Sequence, residues 1–306
     1  MSACVTLIWS FYQVILYKLQ YFKRCGIPYI EPEFYFGNSR GIGKLFHPSE
    51  FITKMYRELK AKGPVGGVFF YTRAVHVATD LDLVKQIMVK DFNIFTNRGL
   101  YFNERDDPIS ANLVNIEDDA WRSLRHKITP TFSSGKIKLM FRTVSEIADK
   151  LVDTISQEKI TNDSSFEVKS VLMRYTTDVI AATAFGIESN TLKEKTNIFL
   201  EMGLKAFNPS SFFLRNFMTS NRKLGNLLGM SLGQRDVSKF YFDVVRKTVK
   251  QRKENTEVQR NDFMDLLMKL AEPSLPEPLS FNQLVAQSAV FFLAGKSLRL
   301  FNEILL

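Results

Sequence analysis

The sequence predicts a mostly α-helical fold with a small β-sheet near the N-terminus. Apolar residues recur at helical spacing through most of the chain after residue 117, which indicates packed helices. Two short runs rich in Val and Phe, at 65–71 and 74–79, lie close enough in sequence to pair as a hairpin. With 306 residues, of which 45% are hydrophobic and 24% charged, the chain is long enough for one large or two medium globular domains.

Residues 1–24 predict a membrane anchor. Residues 2–17 carry no charge and are largely apolar and aromatic, and Lys18, Lys23 and Arg24 follow them. Basic residues at one end of an apolar segment place that end, and the domain after it, in the cytosol. The main alternative is a helix that lies in the membrane interface, because the uncharged segment is short for a spanning helix.

The remaining segments are predicted from proline positions and periodicity. Pro28 and Pro32 cannot both lie inside a helix, so residues 25–47 are predicted to form a stiff, extended hinge. The domain proper is predicted at 48–295, with a helix, the hairpin, a second helix and a long irregular loop at 91–115. The helices predicted after this loop are 118–128, 135–155, 166–185, 193–206, 237–253, 262–271 and one that starts at 281.

Charge and cysteine content argue against several kinds of site. The net charge of +9 indicates an acidic protein or an anionic membrane as partner, and nucleic acid is not favoured because no basic stripe is interleaved with aromatics. The two cysteines, Cys4 and Cys25, are too few for a disulfide framework, and the three histidines lie far apart. We therefore expect no zinc site.

Five residues could contact a flat, apolar ligand that carries an anionic edge. Trp121 and Arg125 lie four apart on a predicted helix, so an indole N–H and a guanidinium share one face. A Trp packed in the core with the Arg at its rim is the alternative. Arg98, in the long loop, is a candidate third contact with the anion. Ala294 and Gly295 would let a ligand approach the helix backbone, or would serve close packing of helices.

Several of these segments resemble the cytochrome P450 family, in its microsomal, insect detoxification branch. The stretches that carry the resemblance are Trp-Arg-Ser-Leu-Arg at 121–125, Pro-Thr-Phe-Ser-Ser-Gly-Lys at 130–136, Asp-Asp-Pro at 106–108, Arg-Asn-Asp-Phe at 260–263 and Phe-Phe-Leu-Ala-Gly at 291–295. The anchor and the proline hinge match as well. Each motif is weak alone, but their order over roughly residues 1–295 is specific.

The resemblance implies the N-terminal portion of a fold that holds haem between two long helices. Trp121 and Arg125 would then bond one haem propionate, and Arg98 another. Ala294 and Gly295 would lie over the haem, in the groove where oxygen binds. The residues implied to line a pocket for an apolar substrate are Phe102, Phe207, Phe212 and Phe291.

The resemblance also implies a reaction and a partner. The reaction is insertion of one oxygen atom from O2 into an apolar small molecule, such as a xenobiotic, lipid or hormone. Electrons would come from NADPH through cytochrome P450 reductase at the endoplasmic reticulum membrane, with the domain facing the cytosol. The basic residues suited to its acidic docking surface are Arg122, Lys127, Lys136 and Lys138, although a solvated face explains them equally well.

The sequence departs from the family pattern after Gly295. The family has a variable residue, an acid and a Thr there, which deliver protons to bound oxygen, whereas Lys296, Ser297 and Leu298 follow here. The later Glu-x-x-Arg helix and the Cys thiolate that ligates the iron have no counterpart in these 306 residues. We therefore expect a truncated, inactive chain with no catalytic residue assigned.

The tail itself, residues 296–306, is expected to be out-of-frame or intron-derived coding rather than family sequence. The main alternative for the chain as a whole is a non-catalytic, truncated membrane protein that binds the reductase or a ligand. An unrelated helical scaffold with a membrane anchor is the less favoured alternative.

Overall fold

The computed structural model describes residues 2–42, 45–161, 167–194, 196–206, 212–255 and 262–296. It confirms the predicted fold class, mostly helical with a small sheet near the N-terminus. The chain divides into two compact units. Unit 1 comprises residues 1–101 and 209–228, and unit 2 comprises residues 102–208 and 229–306.

The helices and strands follow one another in a simple order. In the described residues they are α1 (Ser2–Leu19), α2 (Tyr21–Cys25), α3 (Pro48–Lys60), β1 (Val65–Phe70), β2 (Arg73–Ala78), α4 (Leu81–Lys85), α5 (Asp118–Ile128), α6 (Ser134–Thr161), α7 (Val168–Ile180), α8 (Ile198–Ala206), α9 (Phe212–Ser220), α10 (Arg222–Leu227), α11 (Arg235–Glu254), α12 (Phe263–Leu270) and α13 (Phe281–Lys296). Turns of 3₁₀ helix lie at Pro108–Ser110 and Thr129–Phe132, and π-helical turns extend α4 and α7 at Gln86–Lys90 and Ala181–Phe185.

Unit 1 is built around the hairpin, whose strands pair antiparallel from Val65 opposite Ala78 to Phe70 opposite Arg73. The ring of Phe22, in α2, is fully buried and packs edge-on against Phe69, with centroids 5.0 Å apart. A Cβ at Gly67 would lie 2.5 Å from the Phe22 ring, which is too close for any side chain. A glycine at this point of β1 therefore lets α2 lie directly on the sheet.

Helix α1 packs on unit 1 with its C-terminal part. Ile15 and Leu19 are buried, whereas the aromatic and aliphatic side chains of the first part of α1 are exposed. No helix in the described part of the chain is both long enough and apolar enough to cross a membrane. The spanning anchor therefore stays a prediction.

The proline-containing segment after α2 is held against β1. The N–H of Gly67 donates to the carbonyl of Pro28 at 2.8 Å, and the N–H of Ile30 donates to the carbonyl of Gly67 at 3.0 Å. The side-chain oxygen of Asn38 accepts from the N–H of Phe69 at 2.8 Å. The sequence does not predict this pairing, because the partners lie about 30 or more residues away along the chain.

Unit 2 is built around α13. The side chains from Leu284 to Ala289 are all buried, so this part of the helix is covered on every side. Further along, the ring of Phe292 packs against Tyr241 of α11 and Phe185, with centroids 5.7 and 5.8 Å apart. The same core includes residues of α5, α8 and α12. The long apolar helix near the end of the sequence is thus the central element of its unit, as its composition predicts.

Candidate functional site

Helix α5 carries the two residues predicted to bind an anion, and its bounds are those predicted from sequence. Acidic side chains lie in its first turn and basic ones in its last, an order that the helix dipole favours. Leu124 and Ile128, four residues apart, are buried in the core of unit 2. Trp121 is half-buried and Arg125 is exposed, so the two lie on the partly open face next to this buried stripe.

The chemistry of this pair suits a carboxylate. The indole N–H of Trp and the guanidinium of Arg are donors only, and the guanidinium can hold both oxygens of one carboxylate. Among the described residues, the guanidinium of Arg125 has no hydrogen bond or ion pair, while its backbone carbonyl accepts from the hydroxyl of Thr129 at 2.7 Å. Arg125 is therefore available for an external anion.

The other edge of α5 is fixed to the segment before α13. The Nζ atom of Lys127 lies 2.8 Å from a carboxylate oxygen of Glu277 and 3.0 Å from its carbonyl oxygen. The hydroxyl of Ser123 donates to the same carboxylate at 3.3 Å. Lys127, followed by Ser123, holds the pKa of Glu277 below its ordinary value. Four basic residues were predicted to suit a reductase. Lys127 is engaged within unit 2, Lys136 is half-buried, and Arg122 and Lys138 are exposed.

The C-terminal part of α13 carries the other predicted ligand contacts. Ala294 is exposed, in contrast to the buried residues that precede it on this helix. Phe291 is half-buried, and its ring stacks on Phe263 with centroids 4.3 Å apart. Gly295 faces the neighbouring helix α7, because a Cβ at this position would overlap the side chain of Ile180. Gly295 therefore has a packing role, and the small open surface on α13 is at Ala294.

We expect Gly295→Ala to lower the free energy of unfolding by about 1–3 kcal/mol, because the added methyl forces Ile180 or α13 to move. Urea unfolding would measure the change. Gly135→Ala is the matched control: Gly135 lies in α6 with nothing within 4 Å of its Cβ position, so alanine should leave stability unchanged or raise it by about 0.5–1 kcal/mol. Equal stability of the two variants would contradict close packing at Gly295.

Sequence reasoning missed a buried amide that holds the long loop on α13. Gln287 is only 1% exposed, and its Oε1 accepts from the backbone N–H of Leu113 at 3.0 Å. Its Nε2 is buried without a partner in the described residues. The sequence carries a signal for this contact, because Gln287 is the one amide side chain among the small and apolar residues of 284–295.

The remaining predicted residues are distributed over both units. Arg98 is an exposed loop residue of unit 1. Phe102 is half-buried and is the first residue of unit 2, in the loop of residues 102–116 that leads to α5. The backbone of Phe212 opens α9, and its side chain lies outside the described residues, as does the whole of Phe207. The structure thus brings together Trp121 with Arg125, and Phe291 with Ala294 and Gly295.

A comparison with known protein families shows which family the chain belongs to. The family model described as cytochrome P450 matches residues 28–297, which include the whole of α5 and α13. The chain belongs to the cytochrome P450 family. Named P450s from flies are similar: cytochrome P450 6A1 of Musca domestica is 39% identical over 289 residues, and cytochrome P450 6a8 of Drosophila melanogaster is 38% identical over 289 residues.

These matches cover 92% and 91% of the present chain but only 56% and 57% of the two fly P450s. A third relative, described as probable cytochrome P450 6a20 of Drosophila melanogaster, is 36% identical over 283 residues, with 56% of its length covered. The chain therefore spans a little more than half the length of the P450s that it matches.

The P450 family implies a haem cofactor, and the residues present fit its periphery. Its propionates are carboxylates, which suit the donors of Trp121 and the unengaged guanidinium of Arg125. Ala294 presents a small, exposed, apolar surface, as contact with a flat macrocycle requires. Cys4 and Cys25 are both exposed, in α1 and α2, and belong to unit 1. Within the residues that the structure describes, no three His, Cys, Asp or Glu side chains form a metal-binding group.

Proposed function

We propose that these residues belong to a haem-thiolate monooxygenase that inserts one oxygen atom from O2 into apolar small molecules. The observation that carries the proposal is the P450 match over residues 28–297. It is supported by the donor pair of Trp121 and Arg125 and by the open surface at Ala294. Haem, when bound with a thiolate ligand, supplies the oxygen chemistry of this family.

In the proposed enzyme, the residues of this chain bind and orient the cofactor. Trp121 donates its indole N–H and Arg125 its guanidinium to one propionate, and Arg98 contributes to the other. Ala294 leaves room for the ligand beside α13, while Gly295 holds that helix against α7. The proposed lining of the substrate pocket is Phe102, Phe207, Phe212 and Phe291.

The proposed setting is the cytosolic face of the endoplasmic reticulum membrane, with NADPH–cytochrome P450 reductase as electron donor. The exposed apolar side chains of α1, among them Trp9 at 61% and Phe11 at 62%, support contact with a lipid surface. The exposed cations Arg122 and Lys138 are the proposed reductase contacts. Lys127 contributes less than its charge suggests, because Glu277 neutralises it.

For a polypeptide of residues 1–306 alone, we propose the absence of monooxygenase activity. Its only cysteines, Cys4 and Cys25, lie in the N-terminal helices, so the thiolate would have to come from other residues. The alternative is a non-catalytic polypeptide that binds the reductase or a ligand. Co-purification of residues 1–306 with reductase, abolished by changing Arg122 and Lys138 to Glu, would favour that alternative.

The test compares this polypeptide with the protein of the complete coding sequence. The complete protein should give the red-shifted carbon monoxide band of thiolate-ligated haem after reduction, and residues 1–306 alone should not. A complete protein that binds no haem would overturn the proposed function.

In the complete protein, Arg125→Ala should speed the loss of haem to excess apomyoglobin by about ten- to a hundredfold, the loss expected for a hydrogen bond between charged groups. Arg142→Ala is the control, because it removes an exposed guanidinium whose one ion pair within the described part of the chain is with Glu146 on α6. Equal rates of haem loss in the two variants would show that Arg125 does not bind a propionate.

A further inference from the structure

Asp107 is a buried carboxylate to which the proposed function assigns no role. It is only 3% exposed, in the loop of residues 102–116. One of its oxygens, Oδ2, accepts from the backbone N–H of Leu232 at 2.9 Å and from that of Gly233 at 3.1 Å. Two successive amides directed at one carboxylate oxygen make a charge-assisted contact, which is stronger than a contact between neutral groups. The carboxylate thus joins the loop to the segment of residues 229–234.

The loop of residues 102–116 and the segment of residues 229–234 are the two places where the chain enters unit 2. It passes from unit 1 to unit 2 between Tyr101 and Phe102, and again between Leu228 and Gly229. Both ends of the contact made by Asp107 lie within a few residues of these crossings, and both belong to unit 2. The second segment leads directly into α11, which begins at Arg235.

The loop presents the carboxylate in a fixed position. The N–H of Asp107 donates to the carbonyl of Asn103 at 2.8 Å, and its carbonyl accepts from the N–H of Ser110 at 2.9 Å. The hydroxyl of Ser110 donates to the same carbonyl at 2.6 Å. Further along, Gln287 of α13 holds Leu113. Because the loop is fixed at both places, little conformational entropy remains to be lost when Asp107 binds the two amides.

We propose that Asp107 is a positioning residue that clamps the two entry segments of unit 2 to each other. Loop 102–116, which carries the pocket candidate Phe102, and segment 229–234 then separate only when the contact of Asp107 breaks. One consequence rests on the proposed function: the clamp would slow the escape of an apolar ligand that contacts Phe102. The clamp itself is defined by hydrogen bonds and can be tested without haem or turnover.

The test is amide hydrogen exchange on the protein of the complete coding sequence, comparing Asp107→Asn with Asp106→Asn. Both variants remove one negative charge from the same loop. In the described residues, the carboxylate of Asp106 lies beside Gly229 but accepts only within its own loop, from the side chains of Asn103 at 2.8 Å and Arg105 at 2.9 Å. It therefore carries the same charge next to the same segment without bonding its amides, and it is the matched control. Exchange in the peptide of residues 229–234 should rise about ten- to a hundredfold in D107N and should not change in D106N.

Amide exchange in a second region distinguishes a local clamp from a general loss of stability of unit 2. Exchange around Tyr241 and Val245, which are fully buried on α11, should stay unchanged in D107N. Equal exchange of residues 229–234 in the two variants would overturn the proposal, as would a matching rise around Tyr241. If neither D107N nor D107A folds, the carboxylate serves the whole fold, and the clamp is rejected. None of these outcomes depends on haem binding, so failure of the clamp is distinct from failure of the proposed function.

Discussion

Replacing Asp178 with alanine is expected to lower the free energy of unfolding by about 3–5 kcal/mol. The carboxylate of Asp178, on α7, is 7% exposed and accepts from the backbone N–H groups of Thr191 and Leu192 at 2.7 and 3.0 Å. The hydroxyls of Ser189 and Thr191 donate to the same carboxylate. Alanine leaves these buried donors without their acceptor, and each unsatisfied donor costs about 1–3 kcal/mol.

Urea unfolding of three variants would measure this effect. Asp178→Asn keeps the volume and one acceptor oxygen but presents an NH2 group to donors, so we expect a loss of roughly 1.5–3 kcal/mol. Asp153→Ala removes an exposed carboxylate from α6 and should change stability by less than about 0.5 kcal/mol. A loss in Asp178→Ala no larger than that in Asp153→Ala would show that the network does not hold this loop.

The network of Asp178 also supports the candidate site. It fixes the loop of residues 187–192 to α7, and α7 ends at Ile180, the residue on which Gly295 packs. The position of α13, and with it the surface at Ala294, thus depends on a helix whose C-terminal part is anchored by a buried carboxylate. A variant at Asp178 would therefore be expected to weaken haem binding indirectly, through the packing of α13.

Local signals were sufficient to predict much of the fold. Helix α5 has the predicted bounds because acidic residues at its start, basic residues at its end and a buried stripe all agree. The hairpin of residues 65–78 is confirmed for a similar reason, since two β-rich runs are joined by a short turn. The placement of Trp121 and Arg125 on one helix follows directly from their spacing.

Contacts between distant parts of the chain explain most of what the sequence could not predict. Helix α8 begins at Ile198 rather than at 193, because Asp178 holds the amides of Thr191 and Leu192, and Asn197 accepts from the N–H of Phe199. The contacts of Lys127 with Glu277 and of Gln287 with Leu113 join residues 150 and 174 positions apart. Helices α9 and α10 were missed because each is short, with 9 and 6 residues.

Replacing Arg252 with methionine is also expected to lower the free energy of unfolding by about 3–5 kcal/mol. Its guanidinium makes two parallel contacts with Asp262, at 2.6 and 2.7 Å, and a third with Asp265. It also donates to the carbonyl of Phe185 at 3.0 Å. Burial by itself lowers the pKa of Arg252, and the two carboxylates outweigh it, so the pKa is raised. Methionine fills similar volume but leaves two largely buried carboxylates side by side without their cation.

Arg246, on the same helix α11, is the control, because it also pairs with a carboxylate but is exposed to solvent. Arg246 pairs with Asp243 at 3.0 Å, but its side chain is 63% exposed, whereas that of Arg252 is 13% exposed. Urea unfolding of Arg246→Met should show a loss of no more than about 0.5 kcal/mol, because solvent screens an exposed pair. Similar losses in the two variants would mean that Asp262 and Asp265 find other partners. A loss confined to Arg252→Met would establish that one cation joins α11 and α12 to Phe185, whose ring packs on Phe292 of the site helix α13.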